Sequence, residues 1–371
     1  MSILDRVPEY IRSLVPYEAG KPIEEVEREY GIEDSIKLAS NENPLGPSPK
    51  ALKALTERIG QLHLYPDGDS FYLKRALAAK LSVAPDRLIF GNGSNELIEL
   101  AVRTFLRPGD EAVMAAQAFV IYRLVVQAAG GACRIVPLKN FTHDLDAIAE
   151  AITDRTRIVF LANPNNPTGT SYGKKAWEKF LSRVTAEALL VVDEAYFEYV
   201  GDPDYPNSID YQSGDRPTDG RTILTLRTFS KLYGLAGLRI GYAVGPKELV
   251  GLMHRVRQPF NVNAAAQWAA LAALEDGEHV ERSLRVNREG MEYLKREIES
   301  LGLEQVPSRA NFILIRVGDG AALFKQLLKR GVIVRPMGVY ELPEYIRVTV
   351  GTAKENGRFI NELKAIIASR A

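Results

Sequence analysis

Short, unbroken apolar runs recur along this chain, each closed by polar or turn-forming residues. Ile158 to Ala162, Ala188 to Val192 and Thr222 to Leu226 show no alternation of polar and apolar positions. That is the pattern of strands buried on both faces. Arg87-Leu-Ile-Phe90 reads as a further strand. Between the runs the spacing turns helical. Glu96 to Leu106 places Leu97, Ala101, Val102 and Phe105 on one face, and Trp177, Phe180, Leu181 and Val184 mark another helix. Buried strands separated by helices predict an α/β fold, with a mostly parallel sheet sandwiched by helices.

The ends of the chain read differently. Residues 1–40 look like an arm plus one helix, Pro22 to Tyr30, opened by proline and stopped at Gly31. Asn41 to Pro49 is turn chemistry throughout. After about residue 260 come an alanine-rich helix, Ala264 to Leu274, and a charged helical stretch to Leu301. Short strands then alternate with helices: Asn311 to Val317, Val332 to Arg335, Tyr345 to Val350. The expectation is a large domain over 41–260 and a smaller α+β domain over 261–371, with the arm and helix of 1–40 associating with the small one.

Composition removes several function classes. The 371 residues are 46% hydrophobic and 25% charged, as in ordinary globular proteins. Basic and acidic residues balance at 47 each, which argues against a nucleic-acid or membrane-surface partner. Cys133 is the lone cysteine, so no disulfide framework is expected. No secretory leader opens the chain, and no apolar run reaches the ~18 residues of a membrane helix, so the expected compartment is the cytoplasm. His63, His143, His254 and His279 lack zinc-like spacing, so no metal site is expected.

Candidate chemistry gathers just past the ends of the apolar strands, at Asn166, Asp193, Ser230 and Lys231. Taken singly, Asn166 reads as a turn residue, Asp193 as a helix cap and Lys231 as a solvated lysine. Together they fall at one sheet edge, where open parallel sheets bind ligands. Gly91-Asn-Gly-Ser-Asn-Glu96 follows a strand and opens a helix, so it offers backbone N–H groups to an anion. It lacks the Gly-Lys-Ser/Thr of a P-loop and the third glycine of a dinucleotide fingerprint. A seat for a phosphate monoester, with Ser94 and Asn95 at the helix start, remains. A phosphate seat, a lysine, a strand-end carboxylate and a nearby arginine form the set that pyridoxal 5′-phosphate requires. Phe119 could stack on its ring.

Ser230-Lys231 with Gly234, Gly237, Arg239 and Gly241 resembles the lysine motif of fold-type I aminotransferases. Asn163 to Gly169 and Asp193 to Tyr196 are similar to that family's other two motifs. Val15 to Pro22, Leu38 to Gly46, Tyr65-Pro-Asp67 and Tyr345 to Gly351 look like the histidinol-phosphate aminotransferase subfamily, and the likeness runs along almost the whole chain.

The resemblance implies roles. Lys231 would carry the cofactor as a Schiff base and shuttle the proton, and Asp193 would pair with the pyridine nitrogen. Tyr196 and Asn166 would bond its 3′ oxygen. Ser94, Asn95, Thr228, Ser230 and Arg239 would hold its phosphate, joined by Tyr65 from the partner of a homodimer. Phe119 stands where many relatives have tyrosine. Arg347, with Arg335 and Tyr17, would grip the anionic substrate. The implied reaction is transamination of histidinol phosphate with 2-oxoglutarate in histidine biosynthesis. The alternatives are an aromatic amino-acid aminotransferase, a threonine-phosphate decarboxylase, and a cofactor-binding regulator without turnover.

Overall fold

The computed structural model describes residues 2–17, 20–184, 187–212 and 220–369. Glu18 and Ala19, inside the Val15 to Pro22 motif, lie outside the described residues. Among the described residues the largest sheet has seven strands: β1 Leu88–Gly91, β2 Glu111–Ala115, β3 Ala132–Val136, β4 Thr156–Ala162, β5 Leu189–Asp193, β6 Thr222–Thr228 and β7 Gly241–Val244. Their spatial order is β1-β7-β6-β5-β4-β2-β3. The five strands from β6 to β3 run parallel. β7 runs antiparallel to both of its neighbours, which periodicity alone could not reveal.

The lack of alternation along β5 has a direct cause. Leu189 and Val191 pack on one side with Leu97, Ile98 and Val126. Leu190 and Val192 pack on the other with Trp177, Phe180 and Leu181. Helices cover both faces, so both side-chain parities must be apolar. The helix expected from Glu96 begins earlier, at Gly93, directly after β1.

The smaller sheet is antiparallel: β8 Gln305–Val306, β9 Phe312–Arg316, β10 Arg335–Pro336 and β11 Tyr345–Thr349, in the order β8-β9-β11-β10. Ile346 and Val348 face a core with Leu294, Ile298, Phe359 and Leu363 from the helices Gly277–Ser300 and Ala353–Ala368. By the two-residue period, Arg347 and Thr349 face the other way, toward the large sheet.

The expected single strand Val332 to Arg335 is divided. Val332–Ile333 pairs in parallel with Ile36–Lys37, whereas Arg335–Pro336 joins β11. The change of partner turns Arg335 to the inner face. The arm is divided as well. Helix Ile23–Tyr30 buries Val26 against Leu328 and Ile333 of the small unit. Residues 9–13 instead lie on the large unit, where the Gln127 side chain donates to the Tyr10 carbonyl and to Ser13 Oγ.

Gly234 adjoins Lys231 and has φ +69°. A Cβ there would stand 2.2 Å from the Gly46 carbonyl oxygen. Gly234→Ala therefore meets both backbone strain and a backbone clash. We expect it to cost about 2 kcal/mol or more of stability. Thermal unfolding checks this, and an unchanged midpoint would contradict the docking of segment 43–47 on the lysine loop.

Candidate active site

A cavity of about 390 Å³ lies between the carboxyl edge of the large sheet and the inner face of the small one. It collects Tyr17, Ser94, Asn95, Phe119, Asn166, Asp193, Tyr196, Thr228, Ser230, Lys231, Arg239, Arg335 and Arg347 from the set expected from sequence. Topology explains the convergence. Ala162 pairs with Asp193, and Asp193 with Leu226, so β4, β5 and β6 end together. Gly241 pairs with both Gly91 and Thr228, which brings the ends of β1 and β6 to the same edge.

Asp193 ends β5 and is 6% exposed. The Tyr122 hydroxyl donates to its Oδ2 at 2.7 Å, and the Ala195 N–H donates to its Oδ1 at 3.1 Å. Burial pushes its carboxyl up to about 6, and the two donors hold it back. The neighbouring Glu194 takes a different course. It is fully buried and accepts from Arg227 Nε at 3.0 Å and Nη2 at 2.7 Å. Of these two successive carboxylates, Glu194 is neutralised by the protein and Asp193 borders the cavity.

Lys231 follows β6 and donates to the Ser40 carbonyl at 3.2 Å. Its ammonium stands 5.6 Å from the centre of the Tyr196 ring. Burial first, and then the charges of Arg347 and Arg239, bring its amine down to about 8, against the pull of Glu42 and Asp193. The Tyr196 hydroxyl accepts from Asn41 at 2.8 Å, and burial moves its phenol up to about 12.

The far end of the cavity gathers hydrogen-bond donors and a cation. Among the described residues, the amides of Ser94 and Asn95, in the first turn of helix Gly93–Phe105, have no protein acceptor. Gly241 keeps them uncovered, since a Cβ there would meet Ser94 N at 2.7 Å. The Arg239 guanidinium lies over Gly93, where a Cβ would stand 2.7 Å from Nη2. Thr228 Oγ1 donates to Ser230 Oγ at 3.0 Å, so these hydroxyls are linked. Exposed amides, hydroxyls and a guanidinium suit a phosphate dianion.

The opposite wall belongs to the small unit. Arg335 and Arg347 sit directly across from one another on β10 and β11. Arg347 is 7% exposed. It donates to Asn166 Oδ1 at 2.5 Å and to the Ala39 carbonyl at 2.7 Å, while its buried Nε finds no partner among the described residues. Arg335 stands 5.6 Å from the centre of the Tyr17 ring.

Tyr65 alone of the expected set lies elsewhere in the chain. It is 84% exposed and stacks on Phe260 at 5.0 Å. Sequence reasoning missed Tyr122, Tyr340 and Asn41, which also line the cavity. Tyr122 hides in an apolar helical stretch that reads as core. Asn41 reads as a turn residue and has φ +56°, yet its side-chain amide donates to the Tyr196 hydroxyl.

The model of the class I and II aminotransferase family matches residues 33–363. The histidinol-phosphate aminotransferase of Moorella thermoacetica is 51% identical over 361 residues, covering 97% of this chain and 92% of its own. That of Methylobacillus flagellatus is 49% identical over 99% of both. Among solved structures, the Sinorhizobium meliloti histidinol-phosphate aminotransferase in complex with pyridoxal-5′-phosphate superposes with a TM-score of 0.90 at 28% identity, over 99% of this chain and 98% of its own.

The Asp193 carboxyl is raised from 3.8 to about 6, so its ionisation opposes folding in the protein without cofactor. The cost is absent below pH 3.8 and complete above 6. Asp193→Asn should therefore stabilise the cofactor-free protein at pH 7–8 by about 1–3 kcal/mol, a gain that shrinks as pH falls below 6. Denaturant titrations at several pH values test this. Destabilisation at pH 8 would show that the ionised form is already fully satisfied.

Proposed function

This chain belongs to the class I and II aminotransferases, and we propose that it transfers the amino group of histidinol phosphate to 2-oxoglutarate, with pyridoxal 5′-phosphate as cofactor. One observation carries the reading: Lys231, the buried Asp193 and an uncapped helix end flanked by Arg239 share one cavity. These residues fit the cofactor. Among the described residues the amides of Ser94 and Asn95 lack acceptors, Gly241 leaves room beside them, and Asp193 offers a buried negative charge.

When bound, the cofactor supplies an aldehyde that takes up the amino group and a ring that draws in the electron pair released at the substrate carbon. Asp193 would hold a proton on the ring nitrogen. Its carboxylate, costly to ionise alone, gains a cationic partner. Lys231, with its amine near 8, is neutral often enough at working pH to take a proton from substrate Cα and to return one. Ser94, Asn95, Thr228, Ser230 and Arg239 would hold the phosphate, Asn166 and Tyr196 the 3′ oxygen, and Phe119 the ring face. Arg347 and Arg335 would bind the substrate anion, a phosphate in one half-reaction and carboxylates in the other. Tyr17 borders the same wall.

The reading extends to a cytoplasmic homodimer. Ile59, Leu62, Leu64, Tyr65 and Tyr72 are all exposed, and Leu64, Tyr65 and Tyr72 line one groove, an apolar concentration that supports an interface there. Tyr65 would reach the partner's phosphate seat from there.

The deciding experiment measures kcat/KM for histidinol phosphate and for phenylalanine as amino donors to 2-oxoglutarate. Histidinol phosphate should be preferred. Arg335→Ala should cost it about 10- to 100-fold, and phenylalanine less, since a carboxylate still pairs with Arg347. Equal losses for both donors would favour an aromatic amino-acid aminotransferase. Borohydride reduction of the holoenzyme should label Lys231, and a label on another lysine would overturn its assignment.

A further inference from the structure

A carboxylate in the first turn of a helix that is to receive an anion is electrostatically out of place, yet Glu96 occupies that turn. Its Oε2 accepts from the Asn92 N–H at 2.6 Å, from Asn92 Nδ2 at 3.2 Å and from Asn261 Nδ2 at 2.8 Å. Asn92 Nδ2 also donates to the Asn261 carbonyl at 2.7 Å. Asn261 is fixed in turn, donating to the Phe90 carbonyl at 3.1 Å and accepting from Arg257 at 2.6 Å.

This network has a consequence for the helix end. Asn92 is the residue before the first turn, where an asparagine side chain ordinarily accepts from the second or third amide. Here it makes no such bond, because Glu96 and Asn261 draw it backward. The amides of Ser94 and Asn95 therefore stay open to the cavity. The carboxylate itself meets three N–H donors, which offset much of its repulsion toward an anion.

We propose that Glu96 and Asn261 are positioning residues for the phosphate seat. They hold Asn92 off the helix end and keep the amides of Ser94 and Asn95 preformed for the cofactor phosphate. The inference rests on the proposed reading that this helix end takes that phosphate. Two effects of removing Glu96 oppose each other: lost repulsion would tighten phosphate binding, and lost preorganisation would weaken it. The geometry assigns the larger effect to preorganisation, because Asn92 freed from Glu96 can turn and cap the amides itself.

The test compares pyridoxal 5′-phosphate with pyridoxal, which has the same aldehyde and ring but no phosphate. Dissociation constants for both are measured on the full-length, cofactor-free protein by tryptophan fluorescence. Glu96→Ala and Asn261→Ala should each weaken pyridoxal 5′-phosphate by about tenfold or more and leave pyridoxal within about twofold. Glu96→Gln keeps an acceptor oxygen and should hold the phosphorylated ligand near the wild-type value. If one alanine variant does not fold, the other decides. Equal losses for both ligands, no loss for either, or tighter binding of the phosphorylated ligand would each overturn the proposal. A wild-type protein that binds both ligands equally would remove the phosphate seat itself, which separates failure of the cofactor reading from failure of this one.

Discussion

Asp193 holds an ionisable carboxyl almost wholly out of water at the end of a central strand, and such a group must find partners or give up its charge. The protein supplies two donors, from Tyr122 and Ala195, and leaves the acid near 6. That partial satisfaction sets the character of the cavity. A fully paired carboxylate, like Glu194 against Arg227, is inert toward a ligand. An incompletely paired one gains most from an added cation. The same low-polarity surroundings lower the Lys231 amine, so one environment prepares the acid and the base in opposite senses.

The site exists only where three separate stretches meet. The large sheet contributes strand ends and the helix end. The small sheet contributes Arg335 and Arg347, turned inward by the two-residue period of β10 and β11. Residues 36–43 tie these together. Ile36–Lys37 pairs with Val332–Ile333, the Leu38 carbonyl accepts from Thr349, and Asn41 reaches Tyr196 across the cavity. Arg347 spans the same gap from the other side through Asn166 and the Ala39 carbonyl. Any relative motion of the two units therefore alters the hydrogen bonds of residues that line the site.

Much of the site was legible in the chain because its chemistry is local. The lysine and its hydroxyl neighbours follow one strand, the acid ends another, and the asparagine loop follows a third. Unbroken apolar runs announce strands covered on both faces, and the resemblance to a known family assigns roles to the residues that close them. Tyr122 was not legible. Its helix carries the apolar spacing of a core element, and a tyrosine in such a stripe reads as packing until its hydroxyl is seen on Asp193. From sequence Glu96 reads as a residue of the loop-to-helix junction and nothing more, because its partner Asn261 lies 165 residues away.

By itself, the sequence determined the alternation of buried strands and helices, the turn chemistry at their ends, and the residue types that a phosphate, a ring nitrogen and an imine require. Tertiary structure alone decided the antiparallel placement of β7, which brings Gly241 beside Ser94 and opens the helix end. It decided the break at Val334 that hands Arg335 to the inner sheet. It also decided that Glu194, the carboxylate next to Asp193, is paired off by Arg227. The physical reason is common to all three. Periodicity and turn residues report what each segment prefers alone, whereas strand neighbours, facing and pairing are settled by which distant segments come to bury one another.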